Sequence, residues 1–354
     1  MRGLVRVGAF LVATVSGSLL AVIVLQYRDI LESTDQLSTP SSYALQSPGY
    51  QSWLSNQGLE RTSSQDGVNE AYVLYERVPV LCLIHATSTQ QARAVLNTWS
   101  RRCNRAVFFG SFSDPYVPIE RVSDSCSLFR RVVRKHGGSF RWLLLVDDET
   151  FAVVENLRFY IAPLNASAVH YLGHPVRAAP FHNTLAAGVA LSEGAVRTLV
   201  PPSDHAMRCR DSDHQLDIAQ LDKYVGAVLR RSGQRLEPVD TRDPLRRGRF
   251  NPLAVEKMLM PGSVSYSDPY WRTSLFRSPE GGRCCSRRAV TFHGINPVDM
   301  FLLEYLVYGL RMGSIGEGAQ ASPTSSPPAL APMELTSLLR GKAFIKPYGI
   351  GGTS

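Results

Sequence analysis

Three consecutive acids, Asp147-Asp148-Glu149, follow the apolar run Trp142-Leu143-Leu144-Leu145-Val146. A short apolar run of this length reads as a buried strand. Acids at the carboxyl edge of a parallel strand stand where open α/β sheets bind their ligands. Carboxylates placed there can hold a hard divalent cation and, through it, a diphosphate. The same residues also suit a plain acidic turn, because the positive N-terminus of a following helix favours acids. A helical pattern does follow, through Ala152, Val153, Leu157 and Tyr160.

The elements that must position these acids alternate along the chain. Residues 78–84 read as a buried strand. Thr87, Ser88 and Thr89 offer N-caps for a helix through Ala92, Val95, Leu96 and Trp99. Residues 106–109 read as a second strand. Residues 127–136 form a helical pattern with Leu128, Val132 and Val133 apolar and Gly137 as the stop. This alternation predicts an α/β fold, a mostly parallel sheet flanked by helices. Further on, Tyr171-Leu172-Gly173 suggests a short strand, and residues 192–200 and 216–229 suggest helices. Residues 230–283 carry many Arg, Pro, Gly and Ser and predict long loops. Asn296, Pro297 and Asp299 then open a helix, as N-cap, first helical residue and first-turn acid. Met300, Leu303, Leu306, Val307 and Leu310 are its expected buried stripe.

The flanks are of a different kind. Residues 7–25 carry no charge and follow Arg2 and Arg6. Such a segment, at about 1.5 Å per residue, reaches roughly 28 Å and can cross a bilayer core. Arginines ahead of it favour a cytoplasmic N-terminus and hence a single-pass type II anchor. A cleaved signal peptide ending near Ser16-Gly17-Ser18 is the alternative. Either one exports the chain to an oxidising compartment. The expected organisation is a cytoplasmic tail (1–6), a transmembrane anchor (7–26), a stem (27–77), a folded domain (78–312) and a low-complexity tail (313–354).

The whole chain has 354 residues, is 44% hydrophobic and has a formal net charge of +8. That permits one sizeable core. The basic residues occur in short pairs such as Arg101-Arg102 and Arg287-Arg288, without an aromatic platform, which argues against a nucleic-acid partner. Six cysteines, Cys82, Cys103, Cys126, Cys209, Cys284 and Cys285, suit disulfides in an exported chain. The sequence does not choose among the pairings. Asn165-Ala166-Ser167 is a glycosylation sequon.

An ordered set of motifs across residues 78–312 resembles one known family. Thr98-Trp99, then Arg102-Cys103-Asn104, matches its first helix. Asp147-Asp148-Glu149-Thr150-Phe151, then Glu155-Asn156-Leu157-Arg158, matches its acid motif. Residues 250–293 follow its pattern without a gap, including Pro252, Glu256, Trp271, Glu280-Gly281, Cys284-Cys285-Ser286 and Ala289-Val290-Thr291-Phe292-His293. Leu303-Glu304-Tyr305-Leu306-Val307-Tyr308, then Leu310-Arg311, closes the set. The chain thus resembles the core 1 β1,3-galactosyltransferases of glycosyltransferase family 31, and their catalytically dead sister, the dedicated chaperone of that enzyme.

The resemblance implies a GT-A fold, a UDP-galactose donor and Mn²⁺. It also implies a GalNAc-bearing glycoprotein as acceptor, transfer with inversion, a Golgi or endoplasmic reticulum membrane location, and pairing as a homodimer or with a family member. By the same match, Asp147, Glu149 and His293 are the metal ligands, and Asp147 and Asp148 face the donor. Asp222 falls on the catalytic base. Trp271 and Glu256 fall on the acceptor side, where an indole suits the apolar face of a sugar ring. Taken alone, His293 is an ordinary capping residue, Asp222 an exposed helical acid beside Lys223, and Trp271 a core residue.

Several positions depart from the enzyme's pattern. Glu149 stands in place of an Asp. Leu185-Ala186-Ala187-Gly188 replaces a glycine-rich stretch. Leu221 replaces the Glu before the base. A family cysteine is Val228 here, so Cys209 lacks the partner that the resemblance implies; Cys126 is one candidate in its place, and the pairing stays open. Residues 151–157 and 171–174 lean towards the chaperone, so a non-catalytic partner and a hexosyltransferase with another acceptor are the alternatives. The chaperone lacks both the acid motif and the histidine, whereas this chain keeps Asp147, Asp148, an acid at position 149 and His293.

Overall fold

The computed structural model describes residues 21, 48–57, 70–122, 124–178, 181–200, 220–232 and 237–310. The segment expected to cross the membrane lies outside them, apart from residue 21. No helix among the described residues is long and apolar enough to cross a membrane. Residues up to Glu60 and residues from Arg61 form separate compact units. In the first, helix α1 (Pro48–Asn56) stacks Tyr50 on Trp53, ring centroids 5.7 Å apart.

The second unit begins with α2 (Glu70–Arg77), inside the segment expected to be stem. The Tyr75 carbonyl accepts the amide of Asn104, and its ring lies 4.9 Å from the Arg158 guanidinium, so α2 belongs with the domain. The strands β1 (Val80–His85), β2 (Arg105–Gly110), β3 (Ile119–Arg121) and β4 (Trp142–Asp147) are parallel neighbours. The short pieces β5 (Phe151–Ala152), β6 (Tyr171–Leu172), β7 (Pro175–Val176), β8 (His182–Asn183) and β9 (Val189–Ser192) follow. The main sheet has the order β3-β2-β1-β4-β9-β6. Both pairings of β9 are antiparallel. The sheet is therefore mainly parallel with an antiparallel edge.

The helices start where local chemistry asks them to. Ser88 caps α3 (Thr89–Asn97) by accepting from the Gln91 amide, and Asp124 caps α4 (Ser125–His136) by accepting from Ser127. Next come α5 (Val154–Ile161), α6 (Glu193–Leu199), capped by Ser192, and α7 (Leu221–Arg231). The core joins Leu81, Leu83, Phe109, Leu143, Leu145 and Leu191 of the sheet to Phe129 of α4 and to Leu221, Tyr224 and Val225 of α7. The Phe129 and Tyr224 rings stack at 6.1 Å.

Beyond α7 the expected loops hold short elements: β10 (Phe250–Asn251), α8 (Val255–Leu259), α9 (Pro269–Thr273) and β11 (Thr291–Phe292). A small sheet runs β10-β11-β5. Phe151 and Ala152, expected to begin a helix, are extended because β11 supplies them with an antiparallel partner. Asn296 caps α10 (Pro297–Glu304), with Pro297 in the first turn as expected.

The expected buried stripe of α10 needs correction. Met300 is the buried residue, whereas Leu306, Val307 and Leu310 are about half exposed, as are Leu302 and Tyr305. The helix is fastened from its other side. Arg102 pairs with Glu304 at 2.8 Å and lies over the Tyr308 ring at 3.4 Å, and Tyr308 Oη donates to Glu155 at 2.7 Å.

Candidate active site

Strand β4 carries Asp147 to the carboxyl edge of the sheet, level with His85 of β1. Its neighbour Asp148, expected to face the donor, is fully buried. Asp148 accepts from the Thr87 amide (2.8 Å), the Thr87 hydroxyl (2.7 Å) and the Ser88 amide (3.2 Å). It thereby shapes the loop that leads from β1 into α3. Burial pushes its carboxyl up to about 6, against the pull of the hydrogen bonds from Thr87 and Ser88.

Strand β11 delivers His293 to the same place. The His293 amide donates to the Asn251 carbonyl, and the Ile295 amide donates to the Glu149 carbonyl at 2.9 Å. Gly294 between them has φ of 75°, a left-handed turn that glycine adopts without strain. His293 Nδ1 lies 3.1 Å from Asp147 Oδ1, and Nε2 lies 3.8 Å from Glu149 Oε2. The buried Thr150 hydroxyl donates to the same Asp147 oxygen at 2.8 Å. Burial alone would lower the basicity of His293. The hydrogen bond to Asp147 and the charges of Asp147, Glu149 and Asp148 outweigh it and raise the imidazole above its ordinary value.

By type, two carboxylates and an imidazole suit a divalent ion such as Mn²⁺. As the side chains stand, Nδ1 is engaged by Asp147. Among the described residues no three His, Cys, Asp or Glu side chains form a metal-ready group. Glu149, with its side chain 49% exposed, is the most open of the three to solvent.

Asp222 sits in the first turn of α7. Its Oδ2 accepts from the Leu185 amide at 3.2 Å and lies 3.7 Å from His182 Nε2. Leu185 opens the tight turn Leu185–Ala187. The Thr291 hydroxyl donates to the Ala187 carbonyl. Gly188 has φ of 76°, and a Cβ there would meet Thr291 Cγ2 and Val146 Cγ1 at 3.1 Å. This is the turn where a family glycine has become Leu185. Its side chain packs against the core. The turn ties Asp222 to the edge that bears Asp147. His182 carries no signal in the sequence that would pair it with Asp222.

The remaining predicted residues are less tightly joined. A Cβ added at Gly294 would lie 4.0 Å from Ala254, just before α8, and Glu256 in the first turn of α8 is exposed. Trp271 of α9 is half-buried, edge-on to Tyr270 at 4.9 Å, with Nε1 donating to the Val264 carbonyl at 3.5 Å. Cys82 pairs with Cys103 and Cys284 with its neighbour Cys285. Cys126 is disulfide-bonded too, and Cys209 lies outside the described residues. Asn165 is exposed in a turn, as a sequon requires.

The structure is thus a mainly parallel α/β sheet with two carboxylates and an imidazole gathered at one strand tip. No family model matches the sequence. Among curated proteins, the chain is 30% identical over 256 residues to glycoprotein-N-acetylgalactosamine 3-beta-galactosyltransferase 1 of Xenopus laevis. The match covers 67% of this chain and 68% of that relative. The chain belongs to this galactosyltransferase family, part of glycosyltransferase family 31.

Proposed function

We propose that this chain is an inverting β1,3-galactosyltransferase. It moves galactose from UDP-galactose to O3 of a GalNAc linked to Ser or Thr of a glycoprotein, making the core 1 O-glycan. The observation that carries this reading is the meeting of His293 with Asp147 and Glu149, across 146 positions of sequence for Asp147. Once the imidazole is released from its hydrogen bond to Asp147, those three side chains would hold Mn²⁺, which when bound would supply positive charge against the diphosphate leaving group. Asp148 holds the β1–α3 loop in shape beneath the donor. Asp222 takes the proton of the acceptor hydroxyl as the new bond forms, which is the work of a positioned general base. Trp271 offers its indole to the acceptor sugar, and Glu256 a carboxylate to its hydroxyls. The apolar segment at residues 7–25 and the disulfides support a type II protein of the Golgi or endoplasmic reticulum membrane, with this domain in the lumen.

The departures at Glu149, Leu185 and Leu221 favour the competing reading, a chaperone-like partner without turnover. One assay separates them. The purified full chain is incubated with UDP-galactose, Mn²⁺ and a GalNAc-peptide, and the disaccharide is sought by mass spectrometry. Product supports the enzyme. Absence of product, together with improved refolding of a family enzyme, supports the partner. Product only with another donor sugar points to a different hexosyltransferase.

A further inference from the structure

Helix α7 lies unusually close to β8. A Cβ at Gly226 would stand 2.9 Å from the Cβ of His182, so only a glycine lets the two elements approach this far. Arg230 clasps the residue just before that strand, with its guanidinium 4.6 Å over the Phe181 ring and Nη2 donating to the Phe181 carbonyl. Asp222 lies one turn before Gly226 on the same helical face. The close approach therefore sets the His182 ring against Asp222, with Nε2 3.7 Å from Oδ2. Both side chains are largely withdrawn from water, 10% and 16% exposed. Oδ2 is held as well by the Leu185 amide, while Oδ1 accepts from the Lys223 amide and keeps a second lone pair. The family acid that precedes the base is Leu221 here, and Leu221 is fully buried in the core. Asp222 thus has no carboxylate neighbour along the helix and instead has an imidazole beside it in space.

We propose that His182 is the positioning residue for Asp222. As the side chains stand, 3.7 Å is beyond hydrogen-bond distance, and catalytic contacts are often long before substrate arrives. In the reacting complex the His182 Nε2–H would close onto Oδ2 beside the Leu185 amide, leaving Oδ1 to the acceptor. In the step itself the proton of the acceptor O3 passes to Oδ1 and O3 bonds to C1 of the galactose. The bond from C1 to the phosphate oxygen breaks, and its electron pair leaves with the diphosphate. His182 touches none of the reacting atoms. The inference rests on the reading of Asp222 as the base.

The test uses the full chain with UDP-galactose, Mn²⁺ and a GalNAc-peptide. His182→Phe should lower kcat by roughly 10- to 100-fold, the worth of one hydrogen bond to a charged group. KM for UDP-galactose should stay unchanged. His182→Gln, whose side-chain amide reaches as far as Nε2 and can still donate to Oδ2, should recover most of the loss. Unchanged kcat in His182→Phe overturns the proposal, and so does a rise in KM alone or a failure of His182→Gln to rescue. Asp222→Asn keeps the two readings apart. Full turnover in that variant removes Asp222 as base, whereas its loss alongside an unaffected His182→Phe removes only the pairing. Should the chain show no transfer, urea unfolding reads the pair directly. The double variant should unfold at no lower a midpoint than the worse single variant, and strictly additive shifts refute the contact.

Discussion

His174 is a buried imidazole that should make this domain acid-sensitive. It follows β6, is 5% exposed, and its Nε2 lies 2.8 Å from the Ser274 hydroxyl at the end of α9. Its ring stacks on Tyr270 at 5.9 Å. Burial depresses its basicity, the nearby Arg242 guanidinium adds to that, and Asp240 opposes it, leaving the group at about 4 instead of 6.5. The sign follows from proton binding. As pH falls, the unfolded chain takes up the proton first, so the folded state loses stability below about 6.5 and goes on losing it until about 4. With 1.36 kcal/mol per pH unit, the full loss approaches about 3 kcal/mol, and between pH 7.5 and pH 5 it is about 2 kcal/mol. Urea unfolding at those two pH values, with disulfides intact, measures it. His174→Gln removes the titration while keeping a donor for Ser274, so its loss of stability over the same interval should be smaller by about 2 kcal/mol. Equal losses in the two proteins would refute the assignment. Because Ser274 and Tyr270 flank Trp271, α9 is where this loosening should be felt first.

Other expectations are simpler to state. His293→Ala should abolish Mn²⁺-dependent UDP binding, read by calorimetry with and without the ion; intact binding would remove His293 from the site. Gly188→Ala forces a side chain into a left-handed turn and against Thr291 and Val146, and should lower stability by about 1–3 kcal/mol in urea unfolding. The paired change Cys82→Ser with Cys103→Ser opens a loop of sequence separation 21 and should cost about 3 kcal/mol, seen as a lowered melting temperature.

The local patterns of this chain were legible without coordinates. Ser88 and Asn296 cap helices because each carries its own acceptor to the amides a few residues ahead. The runs that became β1, β2 and β4 declare themselves because a strand buried on both faces must be apolar throughout. The acids of the candidate site were visible because they interrupt such a run. His293 was reachable only through an ordered set of family motifs, since nothing in its immediate neighbours marks it.

What the tertiary structure decided is the choice of partners across long separations. Phe151 and Ala152 are extended because a strand some 140 residues later pairs with them. Asp148 turns inward because Thr87 and Ser88, on another loop, supply three donors. Cys284 pairs with Cys285, a choice that six cysteines in sequence leave open. Met300 is buried, whereas Leu306, Val307 and Leu310 are about half exposed where Arg102 and Glu155 hold Glu304 and Tyr308 on the other side. His182 meets Asp222 because a glycine one turn away lets helix and strand close. Periodicity reports what a residue would bury; only the packed chain determines which neighbour is there to bury it against.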